Sequence, residues 1–311
     1  MRILISGAAG FAGQHLAKAL AERGHKVFSA DISTSESVPH QLDICDKVNI
    51  EQILDLTTPD CVVLLSGLSS VGASWLDPAA AFQVNTTGAL NLFTAVQKKF
   101  PKARFIFAGS AEEYGKSSAT PLSEDTICTP VNPYALSKYS AGKAMAMMAE
   151  KENTEFIHLR LANHFGPGQK PGFVIPDFAS QIAKKMLTQD NSDIVVGNLE
   201  AKRDFLYVGD VIDAYIKIIE AEKLECNLCN IGSGKTISIR EMLDTLIELA
   251  GIPAKVTVDK SRLRSADTTG TPLDISQAQT AFGWTPQVEI REALRLTLKS
   301  WVDKLSQQSN C

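Results

Sequence analysis

The chain has 311 residues, 44% of them hydrophobic and 21% charged, an ordinary globular balance that excludes wholesale disorder. Lysine and arginine number 31 and aspartate and glutamate 35, a formal net charge of −4 that argues against nucleic-acid binding by bulk positive charge. No apolar run approaches the roughly 18 residues needed to span a bilayer, so no membrane partner is expected.

Taken in order, Arg2–Ser6 is a short apolar strand, followed by glycines and an amphipathic helix from Gln14 to Arg23. A strand at Lys26–Ala30, a helix at Asn49–Leu56 and a strand at Cys61–Leu65 come next. A long helical pattern covers Ala79–Lys99, and Arg104–Ala108 reads as another strand. This alternation predicts an α/β fold, a doubly wound parallel sheet of the Rossmann type. Beyond His164 the pattern changes at the loop-forming run Gly166-Pro167-Gly168-Gln169-Lys170-Pro171-Gly172. Helices are expected near 176–187, 209–222, 238–250 and 289–305, with Asn227–Ile231 returning to the first sheet. The expected organisation is a dinucleotide-binding unit (1–165 plus about 205–232) and a smaller, discontinuous α/β unit (166–204 plus 233–311).

The six cysteines (45, 61, 128, 226, 229 and 311) are scattered, unlike a small disulfide framework. With a glycine motif at Gly7 leaving no room for a cleavable signal, a cytoplasmic protein with reduced thiols is expected.

Gly7-Ala8-Ala9-Gly10-Phe11-Ala12-Gly13 stands between a strand and a helix. Glycines there permit a tight turn and close approach to a pyrophosphate, which the positive helix end favours. Asp31, at the end of the second strand, can accept bonds from an adenosine ribose and repel a 2′-phosphate, so NAD(H) is expected to be preferred to NADP(H). Its bland alternative is a solvated loop aspartate. Asp43 and Ile44 are candidates for an adenine edge.

Tyr134 and Lys138 lie four apart and share one helix face. A nearby ammonium is expected to lower the tyrosine pKa and make proton exchange feasible near neutral pH. Alone, the pair could be a helix-surface accident. Ser110, after the strand Arg104–Ala108, adds a donor for a developing oxyanion.

Together with the glycine loop, these residues resemble the short-chain dehydrogenase/reductase superfamily, and the length and second unit resemble its extended, nucleotide-sugar branch. Asn163-His164-Phe165-Gly166-Pro167 is similar to a loop of that branch, and Gly197-Asn198-Leu199-Glu200-Ala201-Lys202-Arg203-Asp204-Phe205 to a signature of GDP-mannose 4,6-dehydratases and their reductase relatives. The resemblance implies Ser110, Tyr134 and Lys138 as catalytic residues. It implies cofactor contacts from Gly7, Gly10, Phe11, Ala12, Gly13, Asp31, Asp43, Ile44, Ser66, Tyr134, Lys138 and His164. For the substrate it implies Ser110, Ala111, Glu112, Asn163, Val174 and Leu199, with Arg203 and Arg264 on the diphosphate. Asp267 is implied as a further substrate contact, in place of the family's usual glutamate after Arg264, with Ser265 in place of its usual proline.

The activity implied is reduction of a GDP-4-keto-6-deoxyhexose at C4, giving GDP-6-deoxy-D-mannose (GDP-rhamnose) or GDP-6-deoxy-talose, by a homodimer joined through helices near 88–99 and 134–150. The alternatives are a GDP-mannose 4,6-dehydratase, a nucleotide-sugar 4-epimerase and a non-catalytic dinucleotide sensor. Three tempting features read as structural. His158 suits a core or edge strand position, and Met145, Met147 and Met148 suit a packed or dimer-forming face. Cys226 and Cys229 fall on a predicted strand where positions three apart face opposite sides, and no second CxxC exists, so no metal is expected.

Overall fold

A computed structural model describes residues 1–188, 192–259 and 270–309. The chain divides into two compact units: Met1–Leu161 with Ile212–Ile231 and Asp274–Trp284, and Ala162–Val211 with Gly232–Leu273 and Thr285–Cys311. The first boundary therefore falls at Leu161, not after 165. The physical reason is that Asn163–Phe165 pairs with Phe205–Tyr207, both in the second unit.

The first unit begins with β1 (Arg2–Ser6), α1 (Phe11–Glu22), β2 (Lys26–Asp31), β3 (His40–Gln41), α2 (Lys47–Thr57) and β4 (Cys61–Leu64). Two short helices, α3 (Val71–Leu76) and α4 (Pro78–Phe82), lead through a π-turn at Gln83–Gly88 into α5 (Ala89–Lys99). Then come β5 (Arg104–Ala108), a 3-10 turn at Ala111–Tyr114, α6 (Pro133–Glu152) and β6 (Phe156–Leu161). With Leu228–Ile231 these strands form a seven-stranded sheet, ordered Leu228–Ile231, β6, β5, β4, β1, β2, β3. All its pairings are parallel. The order reverses between β1 and β4, the point at which doubly wound sheets bind ligands beyond the carboxyl ends of their strands.

Local chemistry explains the elements. Every residue of β4, β5 and β6 is buried, as a strand covered on both faces requires. Asp46 caps α2 through the Val48 and Asn49 amides, and Asn132 caps α6 through Ala135, with Pro133 at its first position. The expected continuous helix over 79–99 is instead broken at the π-turn, where buried Asn85 hydrogen-bonds Leu68 and Ser137. Leu4, Phe28, Val62, Phe93, Phe105 and Phe156 are part of the core. Met145 is wholly buried there, Met148 packs against it, and Met147 is 70% exposed.

In the second unit, helices Val174–Thr188, Ile239–Ala250 and Ile290–Ser309 enclose a core that includes Phe165, Phe178, Phe205, Leu246 and Trp301. Three short strand pairs belong to it: Phe205–Tyr207 with Asn163–Phe165, Lys202–Arg203 with Ile237–Ser238, and Ile194–Val196 with Val256–Val258. Among the described residues no helix is long and apolar enough to cross a membrane.

Candidate active site

The glycine loop leaves β1 at Gly7, whose φ of +86° suits glycine, and a Cβ there would lie 2.5 Å from the Ser66 nitrogen. On Gly13 a Cβ would lie 2.4 Å from the Gly7 carbonyl oxygen, so this glycine lets α1 start close against the loop. Gly10 caps α1 without any side-chain hydrogen bond, and Phe11 and Ala12 form its first turn. This positive helix end can receive a pyrophosphate. Asp31 ends β2 and accepts a bond from the Ala9 amide (3.0 Å), tying the acidic position to the loop. Ser66 follows β4, its hydroxyl 2.5 Å from that of Ser6. The Asp43 carboxylate accepts from the Cys45 amide (2.8 Å), while the Ile44 side chain is in the core. These groups suit a dinucleotide: an uncapped helix end for phosphates and a carboxylate at the end of the next strand.

At the end of β5, Ser110 is 8% exposed and caps the 3-10 turn carrying Ala111 and Glu112. Its hydroxyl accepts from the Glu112 amide (3.2 Å), and the Glu112 carboxylate accepts from Asn132 Nδ2 (3.2 Å). The Ser110 side chain lies close enough to the Tyr134 hydroxyl to favour its ionised form, so serine and tyrosine, 24 positions apart, are neighbours in space. One helical turn beyond Tyr134, the buried Lys138 donates from Nζ to the Ala108 carbonyl (3.0 Å) and lies 5.0 Å from the Phe107 ring centroid.

The electrostatics correct one expectation. Desolvation pushes the Tyr134 hydroxyl up to about 12, outweighing the lowering influence of Ser110, while Glu112 and Glu113 push the same way. Lys138 does not lower it: its ammonium is turned onto Ala108, and burial brings its own pKa down to about 8. Tyr134 is therefore a phenol that keeps its proton at neutral pH.

In the second unit, Asn163 is exposed, and His164, whose Nδ1 lies 3.1 Å from the Ala162 carbonyl, is held neutral by burial. Val174 opens its helix half-buried, and Leu199 is 5% exposed within the core. Arg203, whose guanidinium donates to its neighbour's carbonyl at Lys202 (2.7 Å), is followed by buried Asp204. The Asp204 carboxylate accepts from the Ser233 amide and hydroxyl (both 2.7 Å), the Gly234 amide (3.2 Å) and the Leu273 amide (3.1 Å). It thus anchors the backbone beside Arg203, a role its place in the Gly197–Phe205 run hinted at. Arg264 and Asp267 lie outside the described residues.

Cys226 precedes its strand, which starts at Leu228, and its thiol lies near that of Cys229 and does not face away as expected. No cluster of three metal-ligating side chains occurs among the described residues.

Residues 4–297 match the family model for GDP-mannose 4,6 dehydratase. The chain belongs to that family. It is an extended short-chain dehydrogenase/reductase, hence an NAD(P)-dependent enzyme of the nucleotide-sugar class. It is 30% identical over 309 residues to a GDP-6-deoxy-D-mannose reductase from Pseudomonas aeruginosa, covering 99% of each. Among solved structures, RMD from Pseudomonas aeruginosa in complex with NADPH superposes with a TM-score of 0.88 at 30% identity, over 98% of this chain and 100% of that one. A UDP-glucose 4-epimerase with UDP-glucose from Thermotoga maritima reaches 0.90 at 28% identity, with the same coverage.

Proposed function

We propose that this enzyme reduces the C4 keto group of a GDP-4-keto-6-deoxyhexose to GDP-6-deoxy-D-mannose or GDP-6-deoxy-talose. The observation that carries the reading is the Ser110–Tyr134 hydroxyl pair with Lys138 one turn away. When bound, a reduced nicotinamide supplies the hydride. Tyr134 gives its proton to the oxygen becoming an alkoxide, Ser110 hydrogen-bonds that oxygen, and Lys138 holds the cofactor ribose. Gly7, Gly10, Phe11, Ala12, Gly13, Ser66 and His164 are further cofactor contacts, and Asp31 supports NAD(H) over NADP(H). The Pseudomonas aeruginosa RMD structure contains NADPH, so this preference is a point of difference to be measured.

For the substrate, the Gly197–Phe205 run and the reductase relative support a GDP-sugar held by Asn163, Val174, Leu199 and Arg203. The enzyme is read as a cytoplasmic homodimer joined through α5 and α6, with no nucleic-acid or membrane partner. Purified protein with GDP-4-keto-6-deoxymannose and either NADH or NADPH should yield the reduced sugar, its C4 configuration read by NMR.

The second reading is GDP-mannose 4,6-dehydration, favoured by Glu112 beside Ser110 and by the family model itself. That reaction needs acid–base groups at C5 and C6 beyond Tyr134. Ala111 supplies none. Sustained multiple-turnover dehydration of GDP-mannose, without keto-sugar reduction in the presence of NADH, would reverse the assignment.

A further inference from the structure

Behind Ser110 lies a polar cluster that the proposed chemistry does not use. Glu113 is completely buried, and one of its carboxylate oxygens accepts both the Ser110 amide (2.9 Å) and His158 Nε2 (3.0 Å). Its other oxygen accepts Arg160 Nε (3.3 Å), and the Arg160 guanidinium lies over the Tyr114 ring, 4.5 Å from the centroid. Burial pulls the Glu113 pKa up, but His158, Arg160 and the Ser110 amide together hold it below the ordinary carboxylate range. It is thus an anion, and Nε2 of His158 is the donor.

The imidazole is wedged between two glycines. A Cβ on Gly109 would lie 2.1 Å from His158 Nε2, and one on Gly142 would lie 2.3 Å from Nδ1 and Cε1. Gly109 adjoins Ser110. Gly142 follows Tyr134 and Lys138 at four-residue steps along the same face of α6. The ring therefore fills the space between the turn that bears the serine and the helix that bears the tyrosine and lysine.

An apolar side chain of similar volume could fill that space without desolvating a charge. It could not donate to the Glu113 oxygen that accepts the Ser110 amide, and so could not hold that carboxylate in place. We propose that His158 and Glu113 are positioning residues: the imidazole sets the spacing between the Ser110 turn and α6, and the carboxylate fixes the Ser110 backbone so that its hydroxyl meets Tyr134. This inference rests on the reading that Ser110, Tyr134 and Lys138 carry the reduction.

The test compares His158→Leu, His158→Gln and Glu113→Gln, with Ser110→Ala and Tyr134→Phe as controls. Misplacement of a reacting group by about 1 Å can cost about 100-fold. His158→Leu and Glu113→Gln should each lower kcat by about 10- to 100-fold while KM for the keto sugar and Kd for NADH move less than about threefold. His158→Gln, which keeps an N–H for Glu113, should recover to within about fivefold of wild type. In a Ser110→Ala background, His158→Leu should add less than about twofold, because its effect runs through the serine. Hydrogen exchange at the Ser110 amide provides a readout independent of turnover and should accelerate at least about tenfold in His158→Leu.

Wild-type kcat with unchanged Ser110 exchange in His158→Leu would overturn the proposal, as would an undiminished effect in the Ser110→Ala background. If His158→Leu does not fold, Glu113→Gln decides by the same two measurements. Wild-type rates in Ser110→Ala and Tyr134→Phe would instead remove the catalytic reading, leaving exchange at Ser110 to judge the contact by itself.

Discussion

Replacing Lys138 with methionine should abolish turnover without weakening the fold. The side chain is 5% exposed, and burial places its pKa at about 8 against an ordinary 10.5. A lysine whose folded pKa is depressed holds its proton less tightly in the native state than in the unfolded chain. Carrying the charge therefore costs stability below about pH 8, and the cost is relieved as pH rises toward 10.5. At pH 7 that separation is worth about 3 kcal/mol. Methionine keeps the apolar stem against Phe107 and removes the ammonium, but it also withdraws the donor from the Ala108 carbonyl, a loss of about 1–3 kcal/mol. At pH 7 the variant should thus equal wild type or exceed it by up to about 2 kcal/mol. At pH 9.5 the ammonium costs wild type only about 1 kcal/mol, so the variant's relative stability should drop by about 2 kcal/mol. Urea unfolding of both proteins at the two pH values measures this difference, in which every other titrating group cancels. A variant more than about 1 kcal/mol less stable than wild type at pH 7, or a difference that does not move with pH, would refute the reasoning.

Tyr134→Phe should lower kcat by about 10²–10⁴-fold and leave NADH affinity near wild type, since the ring can stay packed without its oxygen; retention of over about a third of the rate would mean that another group supplies the proton. The alkaline fall of kcat/KM for reduction should set in near pH 8, where Lys138 loses its proton in the free protein, because Tyr134 at about 12 keeps its own. A fall centred near pH 6 would contradict both assignments. NADH should be used at least as well as NADPH, because Asp31 would repel a 2′-phosphate and Ser29, Ala30 and Ile32 beside it carry no positive charge; a kcat/KM ratio favouring NADPH by about tenfold counts against this. GDP should raise the melting temperature more than UDP at matched concentration, the measure of which carrier the native protein binds, and equal shifts would remove the basis for naming guanine.

The parallel sheet was legible because strands covered on both faces must be apolar throughout, and Cys61–Leu64 and Arg104–Ala108 each form a short, largely apolar run. The π-turn was not, since Gln83–Gly88 carries no compositional mark and owes its shape to Asn85 reaching Leu68 and Ser137. Tyr134 and Lys138 could be paired from their spacing alone, because a helix fixes which residues share a face. Spacing does not report solvation, which is why the direction of the Tyr134 pKa could not be read there. Glu113 and His158 are 45 positions apart and meet only because β5 and β6 are neighbours, Phe107 standing opposite His158 in the register. No local pattern encodes that meeting. The Glu112-Glu113 doublet beside Ser110 was its one visible trace.

The protonation pattern also bears on which direction of chemistry the site favours. Reduction of a keto sugar asks Tyr134 to arrive with a proton, which a phenol at about 12 does at every physiological pH. Dehydration begins with oxidation at C4, for which the same oxygen must first be ionised. At pH 7 a group of pKa 12 is ionised in about one molecule in 10⁵, a handicap of about 7 kcal/mol before any chemistry begins. An ammonium turned toward the phenol would reduce that handicap, but Lys138 points at the Ala108 carbonyl. Glu112 provides a carboxylate near Ser110, yet it accepts a bond from Asn132 and raises the Tyr134 pKa by its charge. The feature that makes the sequence look most like a dehydratase therefore helps keep Tyr134 protonated, while making it a weaker acid.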